Sequence, residues 1–207
     1  VEWKKGRIFS NDYMTLSIPP KALYQDVNFH YEIGKGGEGP LSDTFRIHVP
    51  SEPLHKEFSL TIETKLPEEY PTEKLLFARI SPEGELTAEG GEYRNGFITL
   101  STRSFGDFKI VSDTIAPEIV PVDFVPGASY RAGEAISFRL SDDLSGIGAY
   151  TGAIDGEWAL FRFDSKSGTL IYYIDADRLS SGKEHYVEIV VSDNRNNRAV
   201  YGSTFRY

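Results

Sequence analysis

The stretch SDDLSGIGAYTGAIDGEWALFRFD, residues 141–164, contains the clearest β-hairpin of the chain. Two runs rich in β-forming residues, 147–154 and 157–163, are separated only by Asp155-Gly156. An Asp-Gly pair in this position is typical of a type I′ turn, because both central residues need a positive φ and these two tolerate it best. A two-residue loop also fixes the register. The predicted cross-strand pairs are Ile154 with Glu157, Ala153 with Trp158, Thr151 with Leu160, and Tyr150 with Phe161.

Both faces of this hairpin carry large apolar side chains. Trp158 and Leu160 share one face, and Phe161 and Phe163 belong to the other. The pattern predicts that both faces are at least partly covered and that the hairpin is central in its sheet. The small Ala153 leaves room for the indole of Trp158, which favours packing in or beside the core.

Length and composition favour two all-β domains. A chain of 207 residues accommodates two sandwiches of about 100 residues each. Tyr, Phe and β-branched residues are plentiful, and 19 Gly and 11 Pro separate short apolar runs. The segment SDTIAP, residues 112–117, lies between two β-runs. We therefore predict tandem β-sandwich domains at residues 1–112 and 113–207.

The second half matches an immunoglobulin-like sandwich without its disulfide. It contains seven short alternating runs, and Val187, Ile189 and Val191 are predicted to face its core. His185 lies on the same inward face, where we expect a hydrogen-bonded core imidazole. The predicted strands are residues 118–124, 135–141, 147–154, 157–163, 169–174, 185–193 and 198–205.

About eight strands are predicted in the first half. One of them, residues 27–33, alternates apolar and polar side chains strictly. The loop GKGGEG, residues 34–39, is not followed by Gly-Lys-Ser/Thr or by a helical pattern, so we expect a hairpin loop and not a phosphate site.

Charge and cysteine content exclude several classes of function. The net charge of −9 is spread along the chain, which disfavours binding to nucleic acid or anionic membranes. No cysteine is present, so disulfides and thiolate-bound metals are excluded. No apolar run approaches the length of about 20 residues that a membrane span needs. Because the chain starts at Val1 without a leader, we expect a piece of a longer protein in preference to a mature form.

Short motifs in residues 113–205 resemble a known bacterial domain. They are Asp142-Asp143 with Ser145-Gly146-Ile147, Ile154-Asp155-Gly156 with Trp158, and Leu179, Gly182, Asp193-Asn194 and Asn197. Together with the linker DTIAP, they resemble the immunoglobulin-like C-terminal domain of exported lysostaphin-like (LytM-type) zinc peptidases. Asn196 replaces the Gly usual in the last turn, and Asn tolerates the left-handed region, so we expect the turn to be kept.

The resemblance implies a non-catalytic region and not a peptidase. The family's zinc site needs a His-x-His pair, and no two of His30, His48, His55 and His185 have that spacing. Zn²⁺ and the catalytic residues are therefore expected only in an upstream domain, and this chain is expected to have no enzymatic activity. In the first half, MTLSIPPKAL, residues 14–23, resembles the opening of ZU5-type β domains.

Acidic and amide side chains at loop ends suggest a calcium site. Oxygen ligands are what Ca²⁺ binds, about six to eight at a time. Asp and Asn are also good turn formers that bond their own backbone, and this explanation stays open. The candidate ligands, expected at the domain junction, are Asp113, Asp142, Asp143, Asp193, Asn194 and Asn197.

Trp158 is also a candidate ligand-binding residue. Asp155 and Glu157 flank it, and carbohydrate modules place flat aromatic rings beside carboxylates. From the sequence we expect an accessory region of an exported bacterial cell-wall peptidase, in the periplasm or at the cell surface. Its role would be to space or dock the upstream catalytic domain at peptidoglycan or a partner. The alternative is a freestanding surface module that binds glycan or protein.

Overall fold

The computed structural model describes residues 1–37 and 41–207. These residues form eighteen β-strands and one short 3₁₀ turn at Thr72–Lys74, so the all-β prediction is confirmed. They form two compact units, Val1–Asp113 and Thr114–Tyr207. Asp113, which we placed in the second domain, is therefore the last residue of the first unit. No helix in the described parts of the chain is long and apolar enough to cross a membrane.

The first unit is a sandwich of two five-stranded antiparallel sheets, with strand orders β1-β2-β5-β9-β8 and β3-β4-β10-β6-β7. Alternation explains its core: on β5, Phe58, Leu60 and Ile62 point inward and are buried. The strands are β1 (Arg7–Ser10), β2 (Met14–Ile18), β3 (Tyr31–Gly34), β4 (Thr44–Ile47), β5 (Phe58–Glu63), β6 (Leu75–Ile80), β7 (Leu86–Gly90), β8 (Glu92–Arg94), β9 (Phe97–Thr102) and β10 (Gly106–Ser112).

The first unit departs from the prediction in two respects. Strands β1 and β7 were not predicted. Residues 27–30 are not part of a strand, because the Phe29 N–H donates to the Val27 carbonyl in a tight turn. The predicted hairpin loop at residues 34–39 falls partly outside the described residues.

The second unit is a sandwich of two four-stranded antiparallel sheets, with orders β11-β12-β16-β15 and β14-β13-β17-β18. This is an immunoglobulin-like arrangement. Val187, Ile189 and Val191 on β17 are fully buried, as predicted. The strands are β11 (Glu118–Pro121), β12 (Ala135–Ser141), β13 (Ile147–Ile154), β14 (Glu157–Ala159), β15 (Arg162–Asp164), β16 (Thr169–Tyr173), β17 (Glu184–Asp193) and β18 (Arg198–Arg206).

The central hairpin is shorter than predicted. Asp155 and Gly156 have φ values of 53° and 80°, which confirms the type I′ turn. The pairs of Ile154 with Glu157 and of Ala153 with Trp158 are also confirmed. The next two predicted pairs are wrong, because the ladder ends at Ala159 and the chain continues into β15 of the other sheet. The hairpin is therefore at the edge of its sheet and not central.

Gly152 explains why the hairpin ends there. A Cβ atom on Gly152 would lie 2.0 Å from Cδ2 of Phe161, so the Phe161 ring occupies the space of the missing side chain. The ring is buried and stacks on Tyr172 with 5.1 Å between centroids. The inward turn of Phe161 takes the chain out of the hairpin and leaves its neighbour Leu160 exposed.

Candidate functional site

His185 and Asp155 form an ion pair beside the β13–β14 turn. Nδ1 of His185 lies 2.6 Å from Oδ2 of Asp155, and Nε2 lies 3.0 Å from the Ser180 carbonyl oxygen. His185 is buried, so the expected hydrogen-bonded core imidazole is confirmed. Burial alone would lower the pKa of His185, but the bonds to Asp155 and Ser180 outweigh it and the pKa is raised.

This pair fastens the turn and has no free nitrogen for catalysis. Oδ1 of Asp155 accepts the Tyr186 N–H at 2.7 Å, so the carboxylate joins the turn to β17. Burial would raise the pKa of Asp155, but the bonds from His185 and Tyr186 lower it overall. Since both ring nitrogens of His185 have partners, the imidazole is structural.

Trp158 is exposed, contrary to the packing expected from Ala153. Its side chain is 60% accessible, and Leu160 and Tyr173 are 55% and 52% accessible. The Trp158 carbonyl, which points away from the hairpin ladder, accepts a bond from Nη2 of Arg178 at 2.8 Å. The indole is thus presented to solvent on a fixed edge strand.

Two neighbouring depressions open in this part of the second unit, and Trp158 lines the smaller of them. The larger has a volume of about 440 Å³ and the smaller about 90 Å³, and both are lined by Tyr172 and Arg178. Asp155 and Glu157 line the smaller one with Trp158, so the structure brings the three predicted ligand-binding residues together. We define the Trp158 surface as Trp158, Leu160, Arg162, Tyr173, Asp175 and Arg178.

The polar groups of the Trp158 surface are planar and carry both signs of charge. Arg162 and Arg178 line the larger depression together with Asp175. No ion-pair partner of Arg162 is found within residues 1–37 and 41–207. Burial, and next the charge of Asp175, raise the pKa of Tyr172, so its phenol stays protonated. Guanidinium groups that donate, carboxylates that accept and open aromatic rings therefore line one surface.

The acidic loops at residues 142–146 and 193–197 lie next to each other, as predicted for the second unit. Nδ2 of Asn194 donates to the Ser145 carbonyl at 2.7 Å. Oδ2 of Asp142 accepts the N–H groups of Leu144 and Gly146 at 3.2 and 2.7 Å. These contacts hold the first loop in an Asx-type turn.

Asp193 organises the second loop. Its Oδ1 accepts the N–H groups of Arg195 and Asn197, and its Oδ2 accepts Nδ2 of Asn197 at 2.6 Å. Asn196 has a φ of 59°, so the turn is kept as expected. These bonds favour a turn-forming role for Asp193 and Asn197, while Asp143 is exposed. The calcium site stays a prediction, and a millimolar Ca²⁺ titration followed by thermal unfolding tests it.

In the first unit, His30 and His48 lie opposite each other just beyond the ends of β3 and β4, with their rings edge to face. The Nδ1 atoms of His30 and His48 are 3.2 Å apart, and the His48 N–H donates to the His30 carbonyl at 3.0 Å. Burial, and next the neighbouring His30, lower the pKa of His48, so its imidazole is neutral at pH 7. His48 adopts a φ of 53°, which is uncommon for this residue type.

The model of the Zu5-like domain matches residues 1–113. The chain belongs to the Zu5-like family. The match confirms the resemblance noted at residues 14–23, and its boundary coincides with the end of the first unit, Val1–Asp113. Zu5-like domains are typically non-catalytic modules.

Solved structures resemble the Zu5-like chain at low identity. The fibronectin(III)-like modules of CbhA from Clostridium thermocellum are 12% identical over 72% of this chain and 84% of that chain, with a TM-score of 0.36. Dimeric latent PorU from Porphyromonas gingivalis is 14% identical over 93% of this chain, with a TM-score of 0.37. This chain spans 25% of that PorU chain. No curated protein matches the chain.

Sequence analysis missed the histidine pair of the Zu5-like domain. Tyr31 pairs with Ile47 at the ends of β3 and β4, so the next residues outward, His30 and His48, lie opposite each other. The pairing register of β3 with β4 was the signal that could have found these two histidines. Spacing along the chain did not reveal it, because eighteen residues separate the two histidines.

Proposed function

We propose that this chain is a non-catalytic accessory region whose second unit binds glycan on the Trp158 surface. A β-sandwich accessory or binding module is supported by the Zu5-like family and by the two sandwiches. The observation that carries the glycan proposal is the 60% exposure of Trp158, which lines the smaller of two depressions that share Tyr172 and Arg178.

The chemistry of the surface favours a sugar. A pyranose ring offers an apolar face that packs on an aromatic ring, and its hydroxyls accept from guanidinium groups and donate to carboxylates. Trp158 and Tyr173 supply open rings, Arg162 and Arg178 supply donors, and Asp175 supplies acceptors. Exposed aromatic rings lower the solubility of a sandwich, so the exposure of Trp158 and Tyr173 favours a binding role.

The parent protein that we propose is an exported bacterial cell-wall peptidase of the lysostaphin-like type. The support is the resemblance carried by the segment DTIAP and the loop motifs of the second unit. On this proposal the chain works in the periplasm or at the cell surface, and it spaces or docks an upstream zinc-dependent domain at peptidoglycan. A reading frame that encodes a His-x-His domain upstream of Val1 would support this part, and one without any such domain would refute it.

Binding experiments on the full chain test the glycan proposal. We expect pull-down on insoluble peptidoglycan or a signal on a glycan array, and we expect Trp158→Ala to lose it by about 30-fold, the size of a binding hot spot. Tyr24→Ala is the matched control, because Tyr24 is 61% exposed and lies in the other unit. Equal binding by the wild type and Trp158→Ala would refute the proposal.

A protein partner is the competing occupant of the same surface. Exposed Trp, Tyr and Arg side chains are also enriched in protein interfaces. Loss of binding to a co-purified protein in Trp158→Ala, with no binding to any glycan, would favour this alternative.

A further inference from the structure

We propose that His30 and His48 form a two-histidine site for a divalent transition-metal ion, with Cu²⁺ bound more tightly than Ni²⁺ or Zn²⁺. The site lies within the Zu5-like unit and is independent of the Trp158 surface. Neutral imidazole is a good ligand for these three ions, and their order of affinity follows the general series for divalent metals.

The distance between the two nitrogens fits one shared ion. Two ligand nitrogens about 2.1 Å from one ion, at an angle between square-planar and tetrahedral values, lie about 3.0 to 3.4 Å apart. The observed separation of the Nδ1 atoms is 3.2 Å, and in this structure the two nitrogens share a hydrogen bond, one ring donating and the other accepting. An ion would take the place of this proton, and the ring that donates would then hold its proton on Nε2, so both Nδ1 lone pairs face the ion without a change in separation.

The distance between the ring centroids fits the same arrangement. Rings whose Nδ1 atoms point straight at each other at this separation would have centroids about 5.5 Å apart, whereas nitrogens that converge on a common point give about 5.0 Å. The observed centroid distance is 4.8 Å, with an interplanar angle of 73°.

The pair is held in place before any ion binds. The His48 ring contacts the rings of Phe29 and Phe105 at 5.2 and 5.3 Å, and Phe105 is fully buried. The backbone bond from His48 to His30 fixes the two residues opposite each other. His30 is exposed, so an ion can enter from solvent. Ligands that need little rearrangement bind metal more tightly.

Metal titration of the untagged, chelator-treated full chain tests the proposal. We expect one equivalent of Cu²⁺ to bind by calorimetry and to broaden the NMR signals of His30 and His48 selectively. His30→Gln and His48→Asn are each expected to weaken Cu²⁺ binding at least about tenfold. Asn tolerates the positive φ at position 48, so this substitution removes the imidazole without straining the backbone.

His55→Asn is the matched control, because His55 is exposed in the same unit and contacts only the Tyr24 ring among the aromatic pairs of the described residues. It is expected to keep full Cu²⁺ binding. Unchanged affinity in both His30→Gln and His48→Asn would overturn the proposal, as would an equal loss in His55→Asn. If His48→Asn does not fold by circular dichroism, His30→Gln alone decides the outcome.

Discussion

Gly152 and Phe161 decide where the central hairpin ends, and a double-mutant cycle tests this directly. Phe161→Ala removes a buried ring that stacks on Tyr172, which costs about 3 to 5 kcal/mol. Gly152→Ala places a Cβ atom 2.0 Å from the Phe161 ring, and such overpacking costs about 1 to 3 kcal/mol. In the Phe161→Ala background the clash is gone. Ala then stabilises the strand by about 0.5 to 1 kcal/mol relative to Gly.

The predicted coupling between the two substitutions is therefore about 2 kcal/mol or more in favour of the double variant. Urea unfolding of the full chain measures it, with hydrogen exchange of peptides from residues 114–207 to follow the second unit separately. Gly152→Val should cost more than Gly152→Ala in the wild-type background, because its side chain is larger. Additive effects within about 0.5 kcal/mol would refute the role given to Gly152.

Three further predictions follow from single side chains. Asp155→Asn should destabilise the chain by about 1 kcal/mol near pH 5, a small effect because Asp155 is half exposed. His185, whose pKa is raised, contributes to the free energy of unfolding; this contribution is fully present below the unfolded pKa and is lost as pH rises through the folded pKa. The contribution to stability of Asp155, whose pKa is lowered, is lost as pH falls through its folded pKa. In Asp155→Asn, an NMR titration should therefore show a lower His185 pKa, and urea unfolding at several pH values should show a flatter pH dependence of stability. Asp193→Ala should cost about 2 to 4 kcal/mol in urea unfolding, because it removes a buried acceptor and leaves three donors of Arg195 and Asn197 without it, whereas Asp164→Ala in an exposed turn should cost under about 1 kcal/mol. Trp158→Ala should change the free energy of unfolding, measured in urea, by under about 0.5 kcal/mol, and a loss of 2 kcal/mol or more would place Trp158 in the core.

Local chemistry made much of the second unit predictable. The turn at Asp155-Gly156 follows from which residues tolerate a positive φ, and the inward position of His185 follows from the two-residue period of a strand. Asn196 kept its turn for the same reason as Asp155.

The end of the hairpin was not predictable from alternation. Residues 158–161 form an unbroken apolar run, and nothing in that run marks the change of sheet after Ala159. The cause is a contact between Phe161 and a glycine nine residues earlier, which depends on three-dimensional packing. Trp158 lies in the ladder on the face opposite to buried Ala159, and its exposure was missed because the run carries apolar side chains on both faces.

Alternation also leaves open which strands are neighbours. It predicted β4 nearly in full, yet it gave no reason to place His48 opposite His30. Pairing partners are set by the packing of the two sheets, and a register error of one residue would separate these side chains.

The most direct test of a ligand-binding Trp158 surface is an NMR titration of the full chain with soluble oligosaccharides prepared from peptidoglycan. We predict shifts of the Trp158 indole N–H and of the Arg178 and Tyr173 signals that saturate with one ligand per chain. Signals of these three residues that stay unchanged at saturating oligosaccharide would contradict the account.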